Sequence, residues 1–332
     1  QQSQFSIDAE DTIIGYIAKY NPDGDLIWFK KLKLAPRHMA IDNNGNLFAT
    51  GHFNFPVDFD PSPNEYILEP DAREMYIAKY DNEGNFLWVK TTQTQGSSQM
   101  FVEDLAICSQ TNRITVSGVF TGEVDVNPDE NQSNILSTEA FHVPHAYVVT
   151  YDLNGEFIWA TDFYVFNVTS DSREYYVDYD ENGNLFLCGQ FADTFQLDNS
   201  EVMPPLVSFS NESSEHDIFL AKFNPNGDLE WVTALQGESR NNSRSLIVTN
   251  DYVLVTGHTN RDLTVYSVDR EASVYFDFHL RPRPFIAKFS NDNGNIHWAF
   301  HLYPSELSSG GAYYIGIDKN DGCYIAERFN GT

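Results

Sequence analysis

The sequence predicts an all-β fold, a five-bladed β-propeller of four-stranded antiparallel blades. Three observations predict it. The 5 tryptophans, Trp28, Trp88, Trp159, Trp231 and Trp298, each close the same stretch of sequence, as in YIAKYNPDGDLIW and YIAKYDNEGNFLW. A second hairpin pattern recurs in step with the first. No stretch sustains a helical period.

Each blade is read as strands a–b from one hairpin and c–d from the other. The a–b hairpins are Met39–Phe53, Leu105–Phe120, Val177–Phe191, Leu246–Thr259 and Ile315–Phe329. The c–d hairpins are Tyr16–Trp28, Tyr76–Trp88, Tyr147–Trp159, Phe219–Trp231 and Phe285–Trp298. In both, β-branched, aromatic and aliphatic residues meet a turn such as Asp42-Asn43-Asn44-Gly45-Asn46 and then resume. Glycine supplies the positive φ of the turn, and Asp or Asn closes it locally. Leu47-Phe48-Ala49 and Leu185-Phe186-Leu187 are continuously apolar, as in sheets covered on both faces. The chain opens with a c–d hairpin and closes with an a–b hairpin. The N-terminal c–d strands are therefore expected to pair with the C-terminal a–b strands, 13–32 with 312–327, closing the ring without a free edge. One domain, 13–332, follows an N-terminal segment, 1–12.

These units resemble SBBP-type β-propeller repeats. The resemblance rests on D-x-x-G-N, on VDFDP (Val57–Pro61) and VDVNP (Val124–Pro128), and on the AK-[YF] to Trp segment, and spans about Ile13–Phe329. It weakens in the fourth unit, where Asp251-Tyr252 replaces the glycine turn and Leu263–Ser267 replaces VDFDP. The resemblance implies a secreted or cell-surface setting of the kind found in Bacteroidota, and no single activity.

Composition narrows the partners. The net charge of −28 over 332 residues argues against nucleic acid or an anionic membrane. Apolar runs are too short for membrane insertion, and a monomeric propeller is expected. The Gln1-Gln2 start reads as a processed end. Cys108, Cys188 and Cys323 have no framework spacing and read as buried free thiols.

Short uniform turns join a to b and c to d, and long dissimilar segments join b to c and d to a. Binding belongs with the long segments. Arg37, Arg73, Arg173, Arg240, Arg244 and Arg261 fall there, as do His38, His216 and His258. Guanidinium groups suit carboxylate or sulfate ligands. The first residues of strand a should ring the channel mouth, and by alignment these are Arg37, Glu103, Tyr175, Ser245 and Tyr313. Arg37, His38, Arg173, Tyr175, Arg244 and Tyr313 are the expected ligand-binding residues. The expected ligand is a protein or a glycan, acidic groups first.

Other chemistry is weaker. Asp58, Asp60, Asp125 and Asn127 are candidate calcium ligands, with a structural turn as the preferred role and no cofactor required. His142-x-x-His145 lacks a second cluster. Glu103, Asp104, Glu174 and Asp178 are the carboxylates a glycoside hydrolase would use, but no catalytic motif surrounds them. The tryptophans read as blade-to-blade packing rather than sugar platforms. The expectation is a non-enzymatic recognition or adhesion protein, with a lectin-like acidic-glycan binder, a glycoside hydrolase or a structural module of a longer chain as alternatives.

Overall fold

The computed structural model describes residues 15–138, 143–164, 174–197, 205–209, 215–277, 283–301, 309–320 and 322–330. Among these there is no helix. Four antiparallel sheets repeat the order a-b-c-d. The first is His38–Ile41, Leu47–Phe53, Glu74–Tyr80 and Phe86–Thr91. The second is Gln99–Cys108, Arg113–Thr121, His145–Asp152 and Phe157–Tyr164. The third is Tyr176–Tyr179, Leu185–Phe191, Asp217–Phe223 and Leu229–Gln236, and the fourth is Asn241–Val248, Tyr252–Thr259, Arg283–Ser290 and Ile296–His301. The opening hairpin, Gly15–Tyr20 with Leu26–Leu32, and the closing hairpin, Ser309–Ile317 with Cys323–Asn330, supply half a unit each.

The expected pairing of these two hairpins is not present. Each forms a two-stranded sheet of its own. The opening hairpin packs through Ile17, Trp28 and Leu32 on the first sheet, and the closing hairpin through Ile315, Ile317 and Ile325 on the fourth.

Consecutive sheets stack face to face, and apolar clusters fill every gap between them. Strands b and c are buried on both faces, as in Leu185–Phe191 and Asp217–Phe223, which is why their sequences are continuously apolar rather than alternating. The tryptophans form the joints. Added Cβ atoms on Gly84, Gly155, Gly227 and Gly294 would meet the rings of Trp28, Trp88, Trp159 and Trp231 respectively, at 2.6 to 3.1 Å. Each glycine lies in the c–d turn of the sheet after its tryptophan. Positive φ and the lack of a side chain are both required there. The same turn accepts hydrogen bonds on its second residue. Lys19 Nζ and Trp28 Nε1 donate to the Asn82 carbonyl at 3.2 and 3.0 Å, Lys79 Nζ to Leu153 at 2.9 Å, and Trp231 Nε1 to Asn291 at 3.3 Å.

The long b–c segments are more ordered than the sequence suggests. Each begins with a small hairpin: Val57–Asp58 with Ile67–Leu68, Glu123–Asp125 with Ile135–Ser137, Thr194–Phe195 with Leu206–Val207, and Leu263–Tyr266 with Ser273–Phe276. The pattern alternates, so Val57 and Phe59, Val124 and Val126, and Leu263 and Val265 turn inward. Two of these hairpins reach back to the preceding unit. Val124 pairs with Thr94, and Leu235 of the third sheet pairs with Val265, which extends that sheet to six strands.

Candidate functional site

The first residues of strands a come from successive sheets. The strand a–b register aligns His38, Asp104, Tyr176, Ser245 and Tyr314, which pair with Thr50, Ser117, Cys188, Thr256 and Ala326. Arg37, Glu103, Tyr175, Arg244 and Tyr313 precede them. The sequence alignment placed Ser245 in that preceding set, and the register puts Arg244 there instead. A bulge adds one residue at Glu103, Arg244 and Tyr313, and an unpaired bulge residue is re-aimed relative to its strand.

Strand a is an edge of each sheet, so its outward N–H groups need partners. Two carboxylates supply them across the gaps. Asp104 Oδ2 accepts from Val177 N of the next sheet at 3.0 Å, and Oδ1 from Leu105 N at 2.8 Å. Asp178 Oδ2 accepts from Val248 N at 2.8 Å, and Oδ1 from Tyr179 N at 2.9 Å. Burial pushes Asp104 up to about 7, with a smaller contribution from the Asp178 charge, and pushes Asp178 up to about 6. His38 Nδ1 lies 3.5 Å from Asp104 Oδ1. Burial and the adjacent Arg37 lower the pKa of that imidazole. Two of the four carboxylates a glycoside hydrolase would use, Asp104 and Asp178, are thus engaged by backbone amides.

A second group lies between the third and fourth sheets. Glu174 is buried and ion-paired with Arg244. Its other oxygen accepts from Gln190 Nε2 at 2.9 Å. Burial nevertheless pushes Glu174 up to about 7, outweighing the opposing pull of Arg244 and of hydrogen bonds from Asn242, Arg244 and Gln190. His216 and His258 flank the pair. Burial, then Arg240 and the facing imidazole, push His216 down to about 4; burial, then Arg244 and Arg240, do the same to His258. Asn242 Nδ2 lies 3.3 Å from His216 Nε2, and His258 Nδ1 is buried with no hydrogen-bond partner. Arg37 and Arg240 are exposed. The arrangement offers guanidinium and neutral imidazole groups to an anion, with Glu174 already neutralised within it.

The expected residues divide accordingly. Arg37, His38 and Arg244 lie at the starts of strands a. Tyr175 is 0 % exposed; its ring packs on Phe163 and its hydroxyl donates to the Gln190 carbonyl at 3.3 Å, so it offers no face to a ligand. Arg173 lies outside the described residues, and of Tyr313 only the backbone is described. His216, Asn242 and Arg240 join the group although no motif marks them.

Asp58, Asp60, Asp125 and Asn127 are explained as turns. Asp58 Oδ1 accepts from the amides of Asp60 and Tyr66 at 3.1 and 2.8 Å, and Asp60 Oδ1 from Ser62 at 2.9 Å. Asp125 Oδ1 accepts from Asn127 and Asn134 at 3.0 and 2.8 Å, and Asn127 Oδ1 from Asp129 at 3.1 Å. Each side chain closes an Asx turn that steers the small hairpin. Among the described residues no three His, Cys, Asp or Glu side chains are grouped as metal ligands. His145 contacts Asp162 at 2.6 Å, and His142 lies outside the described residues.

No family model matches the chain. It is similar to an uncharacterized WD repeat-containing protein, L264, of Acanthamoeba polyphaga mimivirus, at 22% identity over 249 residues. That match covers 67% of this chain and 17% of the viral protein, so the chain spans a small part of its relative. Among solved structures, a protein of unknown function from Bacteroides caccae matches over 75% of this chain and 78% of its own, at 10% identity and a TM-score of 0.29. The chain is an all-β repeat protein built of stacked four-stranded antiparallel units.

Proposed function

We propose that the chain is a five-bladed SBBP-type β-propeller, secreted or held at a cell surface, that binds an acidic protein or glycan ligand at the strand-a mouth without catalysis. The two half-units make the fifth blade. One observation carries the binding reading. In a chain of net charge −28, Arg37, His38, His216, Arg240, Arg244 and His258 all fall at the starts of strands a or beside them. Cationic and imidazole groups gathered against the overall charge select anions locally, where field and geometry outweigh net charge. Fixed guanidinium groups recognise carboxylate and sulfate bidentately.

The test is a binding titration against sulfated glycans, uronic-acid glycans and acidic peptides. Arg37→Gln and Arg240→Gln are the informative variants, because both side chains are exposed. Each is expected to weaken binding about tenfold, the loss of roughly 1.4 kcal/mol, and affinity should fall with salt. Silence of all three ligand classes, or unchanged affinity in the double variant, overturns the reading.

A further inference from the structure

The anion site contains an acid of its own. Glu174 is buried just before strand a of the third sheet. Arg244 is the unpaired residue of the bulge between Ser243 and Ser245 on strand a of the fourth sheet, and a bulge re-aims its extra residue. Arg244 Nη1 donates to Glu174 Oε1. Gln190 Nε2 donates to Glu174 Oε2 at 2.9 Å, and the Asn242 side chain adds a further hydrogen bond. One guanidinium and two carboxamides are the donors an external anion would need. In this structure Glu174 has them, while Arg244 stays partly exposed beside it.

The other titratable groups around this pair hold one charge state near neutrality. Tyr176 and Cys188 lie on the third sheet with Glu174. Burial pushes the Tyr176 hydroxyl far above its ordinary value and the Cys188 thiol up to about 12. His216, before strand c of the same sheet, and His258, on strand b of the fourth, are pushed down to about 4, chiefly by burial. Asn242 Nδ2 donates to His216 Nε2 at 3.3 Å, as a neutral imidazole allows. Arg240 and Arg244 are cations throughout. Glu174 differs from all of these. Burial, against the pull of Arg244, pushes it up to about 7, so it alone in this group changes charge between pH 6 and pH 8.

We propose that Glu174 is a built-in competitor for Arg244 and the proton switch of the site: ionised, it holds the guanidinium against external anions, and protonated, it yields that charge to the ligand. This rests on the anion-binding reading above and adds its regulation. The coupling is reciprocal. An anion seated on Arg244 disfavours a second negative charge at Glu174, so binding takes up a proton from solvent. That proton also turns one Glu174 oxygen from an acceptor into a donor, and the bound anion is an acceptor. A site made of arginines alone would hold a sulfate equally at pH 6 and pH 8, since neither group titrates there.

The test uses dextran sulfate, polygalacturonate and polyglutamate, whose anionic groups stay ionised from pH 6 to pH 8. Titration calorimetry at pH 6, 7 and 8, in two buffers of different ionisation enthalpy, gives the affinity and the protons taken up. The wild-type chain should bind about tenfold more tightly at pH 6 than at pH 8, the ratio of the protonated fractions of a group titrating at about 7. It should also take up protons at pH 7. Glu174→Gln carries a neutral side chain at every pH. It should bind at pH 8 nearly as tightly as the wild type at pH 6, and lose the proton uptake. Glu74, Asp104 and Asp178 titrate in the same range and are untouched in that variant, so what disappears belongs to Glu174. The same pH ratio in both proteins, or no tightening in the wild type, overturns the inference and leaves the anion site standing. Silence of all three polymers at every pH overturns the binding reading, and this inference with it. If Glu174→Gln does not fold, carbon-13 NMR of the Glu174 carboxyl in the wild-type chain decides. Its midpoint should rise on addition of whichever polymer binds, and an unmoved midpoint refutes the switch.

Discussion

Arg244 and Glu174 lie 70 positions apart in the sequence and meet across the gap between the third and fourth sheets. The carboxylate is 8% exposed and the arginine 28%. Removing the guanidinium leaves a desolvated acid without its counter-ion, which is costly even where the pair itself contributes little. Arg244→Ala should therefore lower stability by about 2–4 kcal/mol, below the full cost of a buried pair because Arg244 is partly hydrated. The same change in a Glu174→Gln background should cost at least about 1 kcal/mol less. Urea denaturation of the four proteins measures the difference. Equal costs in both backgrounds would show that Arg244 does not act through Glu174. Arg37, exposed and outside this ion pair, is the better probe of ligand binding.

The small hairpins decide what the aspartates of the VDFDP motif do. Asp125 accepts from two backbone amides and from Ser133 Oγ at 2.6 Å, and an Asn carboxamide oxygen can accept the same amides. Asp125→Asn is expected to change stability by less than about 1 kcal/mol, and Asp125→Ala to cost about 1–3 kcal/mol through amides left unsatisfied. A melting temperature that rises with calcium in the wild type and not in Asp125→Asn would return the residue to the ligand role. The strands, the turns and the packing role of the tryptophans were legible in the sequence, because turn chemistry and burial on both faces leave direct marks at Gly84, Trp88 or Leu185. The hairpins inside the b–c segments were not. Their two- to four-residue strands show alternation too short to separate from loop, and in the third and fourth units the motif keeps only its apolar positions, such as Phe195 and Leu263. The burial of Tyr175 and the grouping of His216 with Asn242 were also hidden, since both depend on the neighbouring sheet. Placing Ser245 for Arg244 was the cost of aligning across a bulge.

Across the whole molecule, burial sets the pH response. Glu74, Asp104 and Glu174 are pushed up to about 7 and Asp178 to about 6. The folded chain therefore keeps protons that the unfolded chain has released above the ordinary carboxylate range. That stabilisation is complete at low pH and is lost as pH rises through 7. His216 and His258, pushed down to about 4, act in the opposite sense and cost stability as pH falls below 6.5. The melting temperature should thus rise from pH 8 to pH 6, then more slowly, and level off near pH 4. Asp104→Asn should reduce the rise. A melting temperature that falls steadily from pH 8 to pH 6 would rule this account out.

The joints between units have one further consequence. Trp28, Trp88, Trp159 and Trp231 each meet a glycine turn of the same design, so little in that contact tells one unit from another. The strand-a positions do the reverse: Arg37, Glu103, Tyr175, Arg244 and Tyr313 change type from each unit to the next. Shuffling the order of the units would therefore leave the scaffold's fastenings intact while rewriting the order of charges along the starts of the strands a. Assembly is written in interchangeable parts, and recognition in the order in which they are strung.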